Sequence, residues 1–527
     1  MSRRSLSKDL SLVTIAMMVS LAATKATGFI REILIVPVLG YGINSDAYNI
    51  GFQIPDLFYQ MLVGGAIGAA VTPLLSSAIA KNQTKRFWKS LSTFITVMTL
   101  VLVGANILGE IFAPYLIKAY NLKQPAEVVA LATRVTRALF PQTIFLMLSG
   151  LLVGILYGYR IYHKHLFVTL FYNLVCIFFI LYWGDKTANG PVRVAFGVVI
   201  AAFVQFVYMW FRSRKEIRLF RPNLDVKDPG FKALVRLAIP TLMSGSVMQI
   251  NSIIQTHFAH QFQGAVTALR HVQVTRNLPL GIIVVSMTNI LLPTLSSEHA
   301  LKNYKNMRRI YTNGLRRVLF MVIPFILIFV IFSQDTIRVI FQWRGAIPEN
   351  RIAIESGLLQ IHALSLIPAT CIQVLITAFY ARKVTRISIL TSVVSLTLNP
   401  VFCIFFANTL GLGLYGIPIA SMLNDILRWA ILSFLYKRHI PRARPYRMLP
   451  FYLRCLFMSL ITAIVLMGIN TLPLHPAGKV MQIAVYLVKI GIALVTWYFA
   501  GIAIGLREAK FIQRELRRIL GFSPAIE

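Results

Sequence analysis

The sequence predicts an all-α polytopic membrane protein of about fourteen transmembrane helices, arranged as two pseudo-symmetric six-helix lobes followed by a C-terminal helix pair. Three observations carry that expectation. The 527 residues are 57% hydrophobic and only 13% charged, with mean hydropathy +0.69, more apolar surface than a water-soluble fold can hide. Runs such as Ser92 to Gly109 and Leu456 to Gly468 hold no charge at all, and a hydrocarbon layer about 30 Å thick demands about 20 such residues per helix. The segments between runs alternate between basic and nearly neutral. The period-two alternation of a closed β-barrel, the other spanning solution, is not found.

Taken in order, the apolar runs between charged and Pro/Gly breaks are 10–36, 45–78, 90–117, 127–158, 165–184, 192–212, 231–262, 265–296, 312–341, 353–381, 386–407, 412–436, 448–471 and 480–505. One set of connections is basic: Arg3/Arg4/Lys8, Lys81/Lys85/Arg86/Lys89, Arg160/Lys164, Arg212 to Lys232, Lys302 to Arg309, Arg382/Lys383/Arg386, Lys437 to Arg447 and the C-terminal tail from Arg507 to Arg518. The opposite set, 37–44, 260–266 and 408–411, has no Lys or Arg. Positive connections stay cytoplasmic, so both termini are expected inside, which an even helix count satisfies. The N-terminus lacks a small-residue cleavage site and reads as a first helix that stays.

An internal repeat divides the helices. Pro141 and Pro368 lie 227 residues apart, and Cys176-Ile177-Phe178-Phe179 recurs as Cys403-Ile404-Phe405-Phe406 at the same offset. Pro73-Leu74-Leu75-Ser76-Ser77 recurs as Pro293-Thr294-Leu295-Ser296-Ser297 at offset 220. The expected division is an N-terminal lobe over 1–225, a second lobe over 226–440, and helices thirteen and fourteen with a cytoplasmic tail over 441–527. Repeats of six helices begin and end on the same side, so they are related by an axis along the membrane normal, with a transport site between them.

The formal charge of +35 would suggest nucleic acid in a soluble chain. Here basic loops against anionic headgroups account for it, and no nucleic-acid partner is expected. Cys176, Cys371, Cys403 and Cys455 sit inside apolar runs without pairing or metal spacing. No phosphate-binding loop, zinc-protease helix or hydrolase elbow is present. A membrane glycan polymerase would want acidic residues in a sizeable external loop, and 37–44 has none. The chain reads as a mover, not an enzyme, with no cofactor.

Charge within a span costs at least ~2.5–3.5 kcal/mol at the bilayer centre, which marks candidates for function. The first span holds Lys25, Arg31 and Glu32; Lys25 and Glu32, seven apart, share a helical face, with Gly28 between them. Snorkelling of the cations to headgroups is the competing reading. Asp46 opens the second span, placed either to pair with Arg31 when the outer end closes or to act as an N-cap beside Ser45. Asp56 follows Pro55, whose break leaves a carbonyl that must face protein or water. Arg270, His271 and Arg276 precede Pro279, and the span before them offers Gln249, Asn251, His257 and His260. His257 and His260 have metal-ligand spacing, but without a third ligand nearby a polar lining is the better account, and no metal is expected. Arg134, Arg137, Arg236, Glu355, Asp425 and Lys489 are weaker candidates, several of them expected near helix ends.

These residues carry a resemblance. Thr27-Gly28-Phe29-Ile30-Arg31-Glu32, Ser45-Asp46-Ala47-Tyr48, Phe52-Gln53-Ile54-Pro55-Asp56-Leu57, Gly65-Ala66, Leu148-Ser149-Gly150-Leu151-Leu152-Val153-Gly154, and Leu278-Pro279-Leu280-Gly281 running to Leu291-Leu292-Pro293 together resemble the MurJ/MviN lipid II flippases of the multidrug/oligosaccharidyl-lipid/polysaccharide exporter superfamily. The likeness runs over most of the chain; single motifs are weak, and their order and spacing make the signal. It implies fourteen helices with an extra C-terminal pair, a cationic central cavity for a diphosphate-sugar headgroup, and a groove by the last two helices for the polyprenyl tail. By position, Lys25 stands where the family has arginine, while Arg31 and Asp46 match it. Departures are Tyr59 where arginine is expected, Gly64 where glutamate is frequent, and Gln273-Val274-Thr275-Arg276-Asn277 in place of the family's Asp-Arg-x-x-Glu.

The resemblance implies a flippase that moves undecaprenyl-diphosphate-linked peptidoglycan precursor across the bacterial inner membrane by alternating access, in cell-wall biogenesis. Lys25, Arg31, Arg270 and Arg276 would meet the diphosphate, Glu32 and Asp46 would gate, and Asp56, Tyr59, Gln249, Asn251 and His257 would line the cavity. Membrane potential, worth ~2.3 kcal/mol per charge per 100 mV, or an ion gradient would drive the return; membrane lipids and cell-wall synthesis enzymes are the expected partners. The rival readings are a flippase for another polyprenyl-linked glycan and a cation-coupled drug exporter of the same superfamily.

Overall fold

The computed structural model describes residues 3–62, 71–120, 124–159, 161, 163–259, 262, 264–382, 384–439, 448–471 and 478–510. They form helices α1 Arg3–Leu39, α2 Ile43–Leu62, α3 Thr72–Ala80, α4 Thr84–Tyr120, α5 Ala126–Gly158, α6 Val168–Trp183, α7 Gly190–Ser213, α8 Pro229–Ala259, α9 Ala265–Pro279, α10 Val285–Ala300, α11 Tyr304–Ile331, α12 Ser333–Phe341, α13 Glu349–Leu364, α14 Leu366–Ala381, α15 Thr385–Cys403, α16 Gly416–His439, α17 Leu449–Asn470 and α18 Lys479–Ala503. Among the described residues, ten helical stretches are long and apolar enough to cross a membrane, or up to eleven when a bent pair is joined. The chain is an all-helical multi-pass membrane protein.

Several expected runs are interrupted for identifiable reasons. The run 265–296 is α9 and α10 joined by a widened π turn, Leu280–Val284, directly after Pro279. Proline cannot donate to the preceding turn, and a wide turn absorbs the mismatch. A second π turn, Ile404–Thr409, ends α15 four residues after Pro400. The run 312–341 divides at Phe332 into α11 and α12. The run 353–381 bends by 40° between α13 and α14, where Pro368 lacks the N–H that would reach Leu364. The repeat-related Pro141 lies inside the uninterrupted α5.

The chain divides into two compact units, residues 1–267 and 268–527. In the first, one apolar cluster joins Ile35 and Leu39 of α1, Tyr48 of α2, Leu139 of α5, Cys176 and Ile180 of α6 and Val198 of α7. Another joins Leu75 of α3, Trp88, Leu91 and Phe94 of α4, Leu151 and Ile155 of α5, Met209 of α7 and Leu234 of α8. Lipid is as apolar as these side chains, so close packing and small residues hold the helices together. At Gly51 a Cβ would lie 2.5 Å from Cγ1 of Val135, and the Gly51 carbonyl accepts from Thr136 Oγ1 at 3.1 Å.

In the second unit the cluster runs through Leu291 and Leu295 of α10, Leu315 and Phe320 of α11, Cys371 and Phe379 of α14, Tyr436 of α16, Met458 of α17 and Trp497 of α18. The C-terminal helix pair is bound by polar contacts as well. Trp497 Nε1 donates to the Phe320 carbonyl at 2.9 Å, and Lys489 Nζ meets Asp335 Oδ2 at 2.5 Å. All four cysteines are buried and unpaired.

Candidate functional site

In the first unit the polar centre lies where α1 meets α6. Arg31 Nη2 is 3.1 Å from Glu32 Oε1, with side chains 22% and 17% exposed. Its Nη1 donates to Asn173 Oδ1 at 3.4 Å, and its guanidinium carbon lies 5.8 Å from the Tyr172 ring centroid. Asn173 is the hub: its Nδ2 donates to the Thr24 carbonyl at 3.1 Å and to Thr27 Oγ1 at 3.3 Å. Gly28 faces this amide: a Cβ there would stand 3.4 Å from Asn173 Nδ2, an ordinary contact. Asn173 was not among the sequence candidates; a lone amide inside Tyr172-Asn173-Leu174-Val175 was the signal. Lys25 is exposed, two turns from Glu32 along α1.

Asp46 is 1% exposed and its carboxylate accepts from Gly264 N at 2.7 Å, Thr267 N at 2.9 Å and Thr267 Oγ1 at 2.6 Å. Thr267 lies in the first turn of α9, whose unpaired N–H groups favour an anion. The two sequence readings of Asp46 therefore meet a third arrangement. Here Arg31 is engaged by Glu32 and Asn173, and Asp46 by the connection between α8 and α9. Asp46 also lies one turn inside α2, not at its N-cap. Around it, Tyr41 OH donates to the Gly264 carbonyl at 3.2 Å and Asn49 Nδ2 to Thr267 Oγ1 at 3.3 Å.

Further along α2, Gln53 Nε2 donates to Thr256 Oγ1 of α8 at 2.7 Å. Asp56 is half-buried, and Tyr59 packs against the apolar cluster of α4, α5 and α8. On α8, Gln249 and Asn251 are half-buried while His257 is exposed. His260 and Gly64 lie outside the described residues. Among the described residues no group of three or more His, Cys, Asp or Glu side chains is placed to hold a metal.

In the second unit the cations are drawn into cross-helix pairs. Arg276 Nη2 of α9 meets Asp425 Oδ2 of α16 at 2.9 Å. His271 Nδ1 meets Glu355 Oε2 of α13 at 3.0 Å, with side chains 4% and 0% exposed, and the His271 ring stacks on Phe341 at 3.9 Å. His362, also buried, has neither ring nitrogen hydrogen-bonded, and sequence reasoning missed it. Arg270 is exposed. Of the cations expected to meet substrate, Lys25 and Arg270 are exposed, Arg31 is partly exposed, and Arg276 meets Asp425.

A guanidinium held by one adjacent carboxylate and one amide oxygen retains donors of the fork geometry that suits a diphosphate. Comparisons with known proteins place the chain in a family. Residues 35–518 match the sequence profile of the lipid II flippase MurJ family. The chain is 26% identical over 510 residues to the probable lipid II flippase MurJ of Rhizobium meliloti (strain 1021), covering 93% of each. It is 27% identical over 440 residues to the probable lipid II flippase MurJ of Buchnera aphidicola subsp. Acyrthosiphon pisum (strain APS), covering 81% of this chain and 84% of that protein. Among solved structures, lipid II flippase MurJ in an inward closed conformation superposes with a TM-score of 0.76 at 22% identity, over 93% of this chain and 98% of that one. An inward-facing multidrug resistance MATE family transporter of the MOP superfamily shares the fold at a TM-score of 0.67 and 13% identity, over 81% of this chain and 98% of that one. With the profile matched across nearly its whole length, the chain belongs to the lipid II flippase MurJ family.

Proposed function

We propose that this protein translocates lipid II, the undecaprenyl-diphosphate-linked peptidoglycan precursor, across the bacterial inner membrane, with both termini in the cytoplasm. The family match over residues 35–518 carries the reading. The partly exposed Arg31 on α1 supports it, because its guanidinium has more donors than Glu32 and Asn173 engage, and a diphosphate can accept from the rest. Lys25, Arg31, Arg270 and Arg276 are the groups assigned to the headgroup; Arg276 would have to leave Asp425 to take part. Asp46 and Glu32 are the groups assigned to gating. A nucleotide-binding loop is missing from the sequence, so the cycle draws on membrane potential or an ion gradient. Enzymes that make or consume the precursor are the expected partners.

The test is rescue. Cells depleted of their own lipid II flippase and supplied with this chain should regain external lipid II, and Arg31→Ala should lose it. A well-expressed chain that leaves external lipid II at the depleted level would sink the reading. One observation favours a related cargo: Gln273 to Asn277 departs from the family pattern, and Arg276 within it is already paired. In that case external lipid II stays low while another polyprenyl-linked glycan appears outside.

A further inference from the structure

We propose that the first unit binds one acyl chain of an anionic phospholipid from the leaflet that its basic connections face, in a groove between α4, α5 and α7. The inference needs only that these helices lie in lipid, and does not depend on the flipping reading.

The groove has a volume of about 300 Å³, at the lower end of the range of ligand pockets. Trp88 forms its floor, and Leu148 and Leu152 of α5 a wall. Its mouth opens outward at Leu100 and Trp210, which are 56% and 46% exposed. Phe220 and Pro222, in the segment after α7, close its end toward the basic connection.

The interior offers a ligand almost no polar contact. Thr96 and Thr99, the hydroxyls on the lining, donate to the carbonyls of Ser92 and Ile95 at 2.9 and 2.7 Å. Trp88 Nε1 donates to Tyr159 OH at 2.8 Å. With those donors engaged, nothing at the floor would recognise a sugar or phosphate, and an alkyl chain is the fitting occupant. A groove that opens into hydrocarbon meets alkyl chains first.

The rim selects the headgroup. Arg212, Arg214, Lys215, Arg218 and Arg221 are exposed along the end of α7 and the segment that closes the groove. The carboxylates near them are committed. Glu216 meets Lys164 at 2.7 Å, Asp225 meets Lys89 at 3.3 Å, and Asp228 accepts from Phe231 N at 2.8 Å. The rim therefore carries an excess of positive charge at headgroup level, which attracts anionic lipid.

The experiment uses the full chain in nanodiscs of phosphatidylcholine with a minor share of either phosphatidylglycerol or phosphatidylcholine brominated on the acyl chain. Bromine quenches nearby indoles, and the component lost in Trp210→Phe reports the groove. Quenching of that component should be about threefold stronger with brominated phosphatidylglycerol at equal mole fraction. Raised salt, or Arg214→Gln with Lys215→Gln and Arg218→Gln, should level the two lipids. Equal quenching at low salt overturns the proposal, as does a preference that survives both salt and charge removal. Relief of quenching by unbrominated polyprenyl phosphate, where the same amount of unbrominated phosphatidylglycerol gives none, also overturns it, assigning the groove to a polyprenyl tail.

Discussion

The polar centres of the two units handle buried charge differently. In the first unit Arg31 takes its carboxylate from the adjacent residue, Glu32, and keeps 22% of its side chain exposed. In the second, His271 and Arg276 of α9 reach across to Glu355 of α13 and Asp425 of α16. Glu32 holds Arg31 from the same helix, and the hydrogen bond from Arg31 to α6 is a long one to the neutral Asn173, so Arg31 can change its carboxylate partner without breaking an ion pair between helices. A cross-helix pair ties two elements, and losing one member leaves the other in a medium that solvates it poorly. The first arrangement suits a group that meets a passing anion, and the second suits a fastening.

That contrast can be broken by substitution, beginning where the effect should be largest. Glu355→Ala should cost about 3 kcal/mol, since it strands a buried imidazole, read as a lowered midpoint in thermal or denaturant unfolding in detergent. A loss comparable to a surface substitution would remove His271–Glu355 as a fastening. Asp46→Ala should come next, at about 2 kcal/mol, because Gly264 N and both Thr267 donors lose their acceptor. Faster amide exchange at Gly264 and Thr267 would localise the loss, and Asp46→Asn should recover part of it. Arg31→Ala should change stability by less than about 1 kcal/mol while abolishing rescue in the depleted cells. If its unfolding midpoint fell as far as that of Glu355→Ala, the distinction between the two centres would fail.

The smallest effect belongs to a charge outside the membrane spans. In the connection between α6 and α7, hydrogen bonds from Thr187, opposed by slight desolvation and aided by Arg193, hold Asp185 below the usual carboxylate range. A carboxylate whose folded pKa is depressed contributes stability above its ordinary pKa and loses it as pH falls through the folded value. Protection of the Thr187 amide, its exchange rate relative to that of an unstructured peptide at the same pH, should therefore be lost only below the usual carboxylate range. Asp185→Asn should remove that acid step. The pair is exposed, so salt should shrink the difference.

The sequence exposed the helices because lipid imposes a length and a composition on every crossing. It also exposed Arg31, Glu32 and Asp46, since a charge in an apolar run stands out. Partners were harder to read. Asp46 is held by backbone N–H groups more than two hundred residues away, and no residue type announces a backbone donor. Asn173 and His362 escaped because an uncharged polar side chain is ordinary in a helix, and only packing reveals what it touches. Proline gave a partial guide: Pro279 and Pro368 accompany a widened turn and a bend, while Pro141 leaves α5 continuous.

The Asp46 contact has a consequence for genetics. Two of the three donors described above are main-chain groups, which every amino acid except proline supplies. Gly264 adopts φ +77°, and a Cβ there would lie 2.6 Å from the Tyr41 ring, so that glycine is fixed by shape and not by side-chain chemistry. A defect at Asp46 therefore has few compensating changes at Gly264 or at the Thr267 amide, because a main-chain donor cannot be re-lettered to match. Second-site revertants of Asp46→Ala should map to Thr267 or to positions that restore an acidic or amide group on α2, and a collection spread evenly over the α8–α9 connection would show that side chains, not the main chain, maintain it.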